Sequence, residues 1–241
     1  MPFDFAKPAQ QFGTLPFQQL GFDAVTCTYD PATFTDHHFA KFGIPFDPSL
    51  RRAVQTRKAE YFAGRLCASQ ALSMIDRQGD VQADHDRCPI WPRGTIGSIS
   101  HCANHAAAVA LPTATQSGVG IDIECRSVFA AANLDKMRVM SDSELAILRN
   151  STLPANDHAA LVFSVKESFF KLAYPQARHY FGFFAVALSQ IDTDSRTVTL
   201  NVQTNLSFDL QPGKLVLGAY KFLDDGLIAT AVKQDRGTAR P

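Results

Sequence analysis

Two hydrophobic periodicities divide the chain into predicted strands and helices. Alternation with a period of two favours strands at 22–30, on both sides of a turn at Asn104 within 97–111, at 118–124, and in FFAVALSQI, TVTLNV, LVLGAYKF and LIATAVK after residue 181. Helical spacing favours a long helix from Pro48 to Gly79, with Asp47 as N-cap. Residues 1–20, rich in Pro, Phe and Gln, are predicted to form an irregular arm.

Two further segments carry helix signals. SDSELAILR has Ser141 and Glu144 at the spacing of a capping box. HAALVFSVKESFFKLAYP has an apolar stripe and is expected to end before Pro175. Helices and strands are therefore both predicted, in an α+β arrangement.

A strand–turn–strand pattern occurs twice in the chain. SISHCANHAAAVAL and LVLGAYKFLDDGLIATAV each have an alanine-rich second strand and each follows helical and loop segments. This repeat predicts two related α+β halves, which we place at residues 1–125 and 126–241.

Composition narrows the classes of function. Of the 241 residues, 46% are hydrophobic and 19% are charged, with 23 Lys+Arg against 23 Asp+Glu, so binding of nucleic acid through bulk charge is not expected. No apolar run reaches about 18 residues and the N-terminus lacks a signal layout, so we expect no membrane span. Five scattered cysteines suggest free thiols in a reducing cytoplasm.

The stretch GVGIDIE places Asp122 and Glu124 on one face of a predicted strand. Two adjacent carboxylates repel each other, and burying them costs free energy unless a cation neutralises them. With Glu167 as a third carboxylate, the set would suit a hard divalent cation such as Mg²⁺. The alternative is that both acidic side chains face solvent on an edge strand.

Lysines flank Glu167 in KESFFK. Lys166 and Lys171 could clamp phosphate oxygens beside a metal. The alternative is a solvated helix face on which Glu167 and Lys171 form an ordinary i,i+4 ion pair.

Ser100 and His101 lie at a predicted strand end, where His101 could bind a phosphate, act as an acid or base, or simply cap a turn. A zinc site at His101, Cys102 and His105 would require a helix there, and the local pattern favours strand. Arg57 and Arg65 share a face of the first long helix, where they would bind phosphate or face solvent.

Taken together and in order, these motifs resemble one family. RKAEYFAGRLCASQAL, CPIWPRGTIGSISHC, GVGIDIE and FSVKESFFKLAYP are similar to the successive motifs of the 4′-phosphopantetheinyl transferases of the Sfp/EntD type. The resemblance covers about residues 50 to 175, and the strand-rich remainder is similar to that family's second half.

The resemblance implies an activity and a fold. Family members transfer the phosphopantetheine arm of coenzyme A to a serine of an apo acyl or peptidyl carrier protein, giving holo-carrier and 3′,5′-ADP. They use Mg²⁺, with Mn²⁺ as an alternative. Their fold is a pseudo-symmetric pair of α+β halves with the active site between them, which implies a monomer.

The resemblance also implies roles for individual residues. It makes Asp122, Glu124 and Glu167 the metal ligands, Asp122, Glu167 and Lys171 the catalytic residues, and Arg57, Arg65, Arg87, Ser100, His101, Asp122, Lys166 and Lys171 the coenzyme A contacts. Either Glu167 or a metal-held water would take the serine proton. Two positions depart from the family pattern: Phe163, where many relatives have tryptophan, and Cys88, which is lysine in some.

A docking surface for the carrier is expected just after the metal strand. Its predicted contacts are basic and apolar: Arg126, Val128, Phe129, Lys136, Met137 and Arg138. The alternative is an ordinary linker. Two rival functions are a non-catalytic module that binds coenzyme A or a nucleotide, and a different magnesium-dependent phosphoryl-transfer enzyme, for which no P-loop or kinase signature is present.

Overall fold

The structure is a computed structural model that describes residues 12–129 and 138–236. The described residues form two compact units. The first contains residues 12–16 and Phe22–Gln116, and the second contains Phe17–Gly21 and the described residues from Ser117 onward. The strand that carries Asp122 and Glu124 thus falls in the second unit, whereas the sequence placed the boundary after residue 125.

The first unit packs helices against a four-stranded sheet. The sheet has the order β1-β2-β6-β5, and β6 pairs antiparallel with both β2 and β5. Helix α2 lies on β6, β2 and β5, and its buried face closes the core. The elements of this unit are β1 (Gly13–Phe17), β2 (Phe22–Thr28), α1 (His37–Lys41), α2 (Gln55–Ser73), the short pair β3 (Gln82–Ala83) and β4 (Pro89–Ile90), β5 (Thr95–Cys102) and β6 (His105–Pro112).

The predicted long helix from Pro48 to Gly79 was wrong at both ends. Asp47 accepts a hydrogen bond from the Ser49 amide at 2.8 Å and caps a 3₁₀ helix, Pro48–Arg52, instead of α2. The backbone is extended at Val54, so α2 begins only at Gln55, and it ends at Ser73. In the described part of the predicted arm, β1 and a 3₁₀ turn at Gln18–Leu20 replace irregular structure and bury apolar side chains. Residues 1–11 of the arm lie outside the described residues.

The second unit repeats the design of a helix on an antiparallel sheet. Its sheet has the order β7-β11-β10-β9-β8, and α4 packs on β11. Every strand predicted for this part of the chain is confirmed. The elements are β7 (Gln116–Cys125), α3 (Asp142–Arg149), α4 (His158–Ala177), β8 (Val186–Asp192), β9 (Thr197–Val202), β10 (Leu215–Phe222) and β11 (Leu227–Asp235).

Both helices of the second unit show how local sequence fixes their ends. The capping box at the start of α3 is confirmed, because Ser141 and Glu144 bond each other's backbone amides. The prediction that α4 ends before Pro175 was wrong. Pro175 lies in the last turn, where the missing N–H removes a single hydrogen bond, and the helix continues to Ala177. It ends where Arg178 turns left-handed and donates to the Tyr174 carbonyl at 2.9 Å.

Each unit therefore carries one long helix on the second strand of a hairpin, α2 on β6 and α4 on β11. This confirms the predicted α+β class with two sheet-containing halves. Within the described ranges, no helix combines the length and apolar character that crossing a membrane requires.

Candidate active site

Two glycines let helix α4 lie directly against strand β7. A Cβ atom on Gly120 would collide with the backbone oxygen of Ser168, and one on Gly118 would lie 2.9 Å from Cγ of Leu172. Any larger residue at position 120 would force the helix away from the strand, since backbone cannot give way as a flexible side chain can. The close approach brings the acidic end of β7 beside the charged residues of α4.

Asp122 is held at both carboxylate oxygens. Its residue is 3% exposed. Lys171 on α4 donates to Oδ1 at 2.6 Å, and the Ser164 hydroxyl donates to Oδ2 at 2.9 Å. The sequence suggested an ion pair of Lys171 with Glu167 on its own helix; the structure pairs Lys171 with the strand carboxylate. Because both oxygens have partners, the carboxylate has a fixed orientation.

Glu124 and Glu167 share the electrostatic environment of Asp122. Burial raises the pKa of Glu124 to about 7, with a further upward contribution from the Asp122 charge and a downward one from Lys171. Burial and the Asp122 charge also raise the pKa of Glu167. The three predicted metal ligands therefore form one electrostatic cluster, in which the charge of Asp122 disfavours ionisation of both glutamates.

The donor set of this cluster fits a hard divalent cation. It offers carboxylate oxygens only, which are the ligands that such a cation prefers. The positive charge of Lys171 lowers the pKa of both glutamates and so partly offsets the upward shifts. In the described part of the chain, however, the only three ligand side chains with all donor atoms within 4.8 Å are those of Asp84, His85 and Asp86. The oxygens of Asp122, Glu124 and Glu167 are thus more widely spaced than this limit.

Lys166 does not join this cluster. Its ammonium lies 2.7 Å from Oε1 of Glu144 and 2.9 Å from the Val139 carbonyl, and both charged side chains are 1% exposed. Burial lowers the pKa of Lys166, and the Glu144 carboxylate opposes that shift. A phosphate contact by Lys166 stays a prediction, and it would require the ammonium to leave this pair.

The first unit holds a separate cleft of about 520 Å³. Four of the five residues predicted there to contact the nucleotide line it: Arg57 and Arg65 from α2, Arg87 from the turn before β4, and His101 from β5. The fifth, Ser100, is buried at 3% exposure and is not among the residues lining the cleft, as expected where strand neighbours face opposite sides.

The basic groups of this cleft are oriented by neighbours. Arg57 Nη1 lies 3.1 Å from His101 Nε2 and 3.3 Å from Oε2 of Glu60. The guanidinium of Arg65 stacks 4.6 Å above the Tyr61 ring and donates to the Gln82 carbonyl at 3.4 Å. Its Nε is buried and has no hydrogen-bond partner among residues 12–129 and 138–236. A buried donor without an acceptor is costly, so this atom favours an anionic ligand.

The structure near the cleft bears on the zinc interpretation and on the departure at Cys88. His101, Cys102 and His105 lie on a hairpin, β5 and β6, so they lack the helical alignment that the zinc interpretation requires. Cys88 lies in a turn in which the Asp84 carboxylate accepts a hydrogen bond from the Cys88 amide at 2.9 Å. Oδ1 of Asp84 also accepts a hydrogen bond from the Asp86 amide at 2.9 Å. The grouping of Asp84, His85 and Asp86 is therefore explained by the geometry of this turn.

Residues that sequence reasoning missed complete the second unit's cluster. Ser164, Ser168 and Thr230 form a buried hydroxyl network behind Asp122, and Glu144 neutralises Lys166. The i,i+4 spacing of the two serines was the available signal for a shared helix face. Nothing in the sequence pairs them with Thr230, which lies 66 positions after Ser164.

The predicted carrier contacts are only partly available. Phe129 is 1% exposed and packs in the core, 5.0 Å from the Phe163 ring, so its prediction as a surface contact was wrong. Arg126 donates to Asp157 at 2.6 Å and stacks on Phe222, whereas Val128 is 53% exposed. Arg138 is exposed, and Lys136 and Met137 lie outside the described residues.

Comparison with known proteins gives the class. Residues 47–111 match the 4′-phosphopantetheinyl transferase N-terminal domain, and residues 118–227 match the 4′-phosphopantetheinyl transferase superfamily. The chain belongs to this superfamily, in its Sfp/EntD type, and is therefore a transferase.

Relatives support the same placement. Enterobactin synthase component D of Salmonella typhi is 35% identical over 185 residues, 76% of this chain and 71% of the relative. The protein of the same name from Salmonella austin is 34% identical over 189 residues, with the same two coverages. The 4′-phosphopantetheinyl transferase Svp of Streptomyces mobaraensis is 29% identical over 193 residues, 76% of this chain and 74% of the relative.

Proposed function

We propose that this protein transfers the 4′-phosphopantetheine group of coenzyme A to a serine of an apo acyl or peptidyl carrier protein, in a reaction that depends on Mg²⁺. The carboxylate cluster of Asp122, Glu124 and Glu167 with Lys171 carries the proposal. A protein that only binds coenzyme A has no need to bury Asp122 and partly bury two further carboxylates beside one lysine, because their desolvation costs free energy.

The proposed reaction is a phosphoryl-type substitution. The serine oxygen forms a bond to the phosphorus that carries pantetheine, and the bond from that phosphorus to the bridging oxygen breaks. The leaving group is 3′,5′-ADP, which keeps the bridging oxygen and the electron pair. Mg²⁺, or Mn²⁺ in its place, would be held by Asp122, Glu124 and Glu167 and would supply charge neutralisation on the diphosphate.

The chain's own residues would supply the proton and charge steps. Glu167 accepts the proton of the attacking serine, either directly or through a water held at the metal site. Lys171 has a side chain that is 26% exposed, so its ammonium can reach a phosphate oxygen of the substrate while it orients Asp122. Its positive charge stabilises the negative charge that develops on the leaving phosphate.

The cleft of the first unit would bind the nucleotide. Arg57, Arg65, Arg87 and His101 line it, and the buried Nε of Arg65 supports an anionic ligand such as the 3′-phosphate. Arginine suits this role because its planar fork binds phosphate through two parallel hydrogen bonds. We further propose a cytoplasmic monomer, since none of the five cysteines, all of them among the described residues, forms a disulfide and one chain supplies both residue sets.

Mass spectrometry of an apo-carrier tests the function. Incubation with coenzyme A and Mg²⁺ is expected to add one phosphopantetheine to the carrier serine and to release 3′,5′-ADP, and EDTA is expected to stop both. Tight coenzyme A binding with no mass gain on fatty-acid, polyketide or nonribosomal-peptide carriers would instead indicate a non-catalytic module.

A further inference from the structure

Three buried hydroxyl groups run from the interior of the second unit to the carboxylate of Asp122. Ser164 and Ser168 lie one turn apart on α4, Thr230 lies on β11, and all three residues are 0% exposed. Thr230 Oγ1 lies 2.9 Å from Ser164 Oγ and 2.7 Å from Ser168 Oγ. Ser164 Oγ in turn lies 2.9 Å from Oδ2 of Asp122.

The carboxylate sets the proton direction for two of these hydroxyls. An ionised carboxylate only accepts hydrogen bonds, so Ser164 gives its one proton to Asp122. Ser164 must then accept from Thr230. Ser168 has one proton and two acceptors in reach, Thr230 Oγ1 at 2.7 Å and the Thr230 carbonyl at 3.1 Å. The Thr230 and Ser164 dipoles therefore both point toward Asp122, an arrangement in which the two bonds strengthen each other.

We propose that Ser164 and Thr230 are positioning residues that hold Oδ2 of Asp122 for the divalent cation, an inference that rests on the proposed function. Lys171 fixes Oδ1 of the same carboxylate, so together the two donors remove its freedom to rotate. Apolar side chains would fill these sites at lower desolvation cost, and a polar relay ending on a metal ligand is how proteins orient such ligands.

Thr230→Val gives the cleanest test, because it removes the middle of the relay without leaving a hydroxyl proton unpaired. Ser164 still donates to Asp122, and Ser168 still donates to the carbonyl of residue 230. Thr230→Ser restores the hydroxyl and should restore function. Ser164→Ala removes the direct bond to Asp122. Ser117→Ala is the matched control, since it removes a hydroxyl bond from the same strand β7 to the Gln234 carbonyl, away from Asp122.

The measurement is Mn²⁺ affinity by electron paramagnetic resonance, beside thermal melting and metal-free binding of 3′,5′-ADP. Ser164→Ala should weaken Mn²⁺ binding by about 10- to 100-fold, and Thr230→Val should fall near the lower end of that range. Thr230→Ser and Ser117→Ala should bind Mn²⁺ like the wild type. Affinity for 3′,5′-ADP should not change in any variant.

Wild-type Mn²⁺ affinity in folded Thr230→Val and Ser164→Ala would overturn the positioning role. If Ser164→Ala does not fold, Thr230→Val and its rescue by Thr230→Ser decide the question. The proposed function fails separately: a wild-type protein that binds Mn²⁺ but never modifies a carrier would contradict the transfer reaction, while loss of Mn²⁺ affinity in Thr230→Val would still support the relay.

Discussion

The Lys171 ammonium lies 2.6 Å from Oδ1 of Asp122, across 49 positions of sequence and between a helix and a strand. This pairing makes Lys171 both a positioning group and a candidate phosphate contact. A lysine bound only to a glutamate on its own helix would leave the orientation of the strand carboxylate unset. The pair therefore links the geometry of α4 to that of β7.

Asp122→Asn tests the metal ligand with the least disturbance of the fold. The amide keeps the size of the side chain but removes its charge, and its nitrogen cannot accept from Lys171 or Ser164. We expect the carrier-loading rate to fall by about 10²-fold or more and Mn²⁺ affinity to fall with it. Carrier loading by mass spectrometry and far-UV circular dichroism measure the two effects.

Glu124→Gln in the same assays separates the contribution of its neighbour. Because Asp122 also binds Lys171 and Ser164, the loss of Glu124 should cost less activity than the loss of Asp122. A folded Asp122→Asn that loads carriers at the wild-type rate would remove Asp122 from the ligand set.

Gly120→Ala tests the close approach of α4 to β7. The added Cβ meets the backbone oxygen of Ser168, so strand and helix must separate. We expect the free energy of unfolding to fall by about 1–3 kcal/mol or more, as for other overpacked sites, and carrier loading to fall because Asp122 and Lys171 move apart. Urea denaturation measures the first effect.

Gly182→Ala is the matched control for this substitution. A Cβ at Gly182 meets nothing within 4 Å, and the backbone there has an ordinary extended conformation. Its effect should stay within about 0.5 kcal/mol. Equal stability of the two alanine variants would show that β7 and α4 are not as close as the structure places them.

Local sequence signals predicted the elements but not all of their partners. The capping box at Ser141 and Glu144 and the alternation in β8 to β11 were readable because each depends on neighbours a few residues apart. The break at Val54 was not readable, since the residues around it are compatible with helix. The Asp47 carboxylate accepts a hydrogen bond from the Ser49 amide and caps the 3₁₀ helix Pro48–Arg52. The extended backbone at Val54 then separates that helix from α2.

The candidate site shows the same limit. The spacing of Asp122 and Glu124 predicted a shared strand face, and both residues lie two apart on β7. The charge of Asp122 contributes to the raised pKa of Glu124. Lys166 and Glu167 are adjacent in sequence, and adjacent helical residues point about 100° apart. Which of them turns inward depends on Glu144, whose position beside α4 is a tertiary property that sequence spacing does not encode.

Lys166→Met tests the inward lysine. Removing one partner of a buried ion pair leaves the other charge uncompensated, so we expect the free energy of unfolding to fall by about 3–5 kcal/mol. Lys171→Met is the comparison, because it also leaves a buried carboxylate, that of Asp122, without its cation, so it should cost activity as well as stability. Urea denaturation and coenzyme A titration distinguish them. A stable Lys166→Met with weakened coenzyme A binding would mean that Lys166 contacts the phosphates.

Arg65→Lys tests the nucleotide cleft of the first unit. The substitution keeps the positive charge but removes the planar fork, the stack on Tyr61 and the buried Nε, which has no partner in the described part of the chain. We expect affinity for 3′,5′-ADP to fall by about tenfold, the usual effect of losing a hydrogen bond to a charged group. Isothermal titration calorimetry gives this affinity without metal or carrier.

Arg51→Ala and 3′-dephospho-coenzyme A make this test specific. Arg51 is exposed on the 3₁₀ helix Pro48–Arg52 and does not line the cleft, so its loss should leave nucleotide affinity unchanged. If Arg65 binds the 3′-phosphate, the wild type should prefer coenzyme A over the dephospho form and Arg65→Lys should lose most of that preference. An unchanged preference would place the 3′-phosphate on other residues, with Arg57 and His101, 3.1 Å apart on the same cleft, as the next pair to substitute.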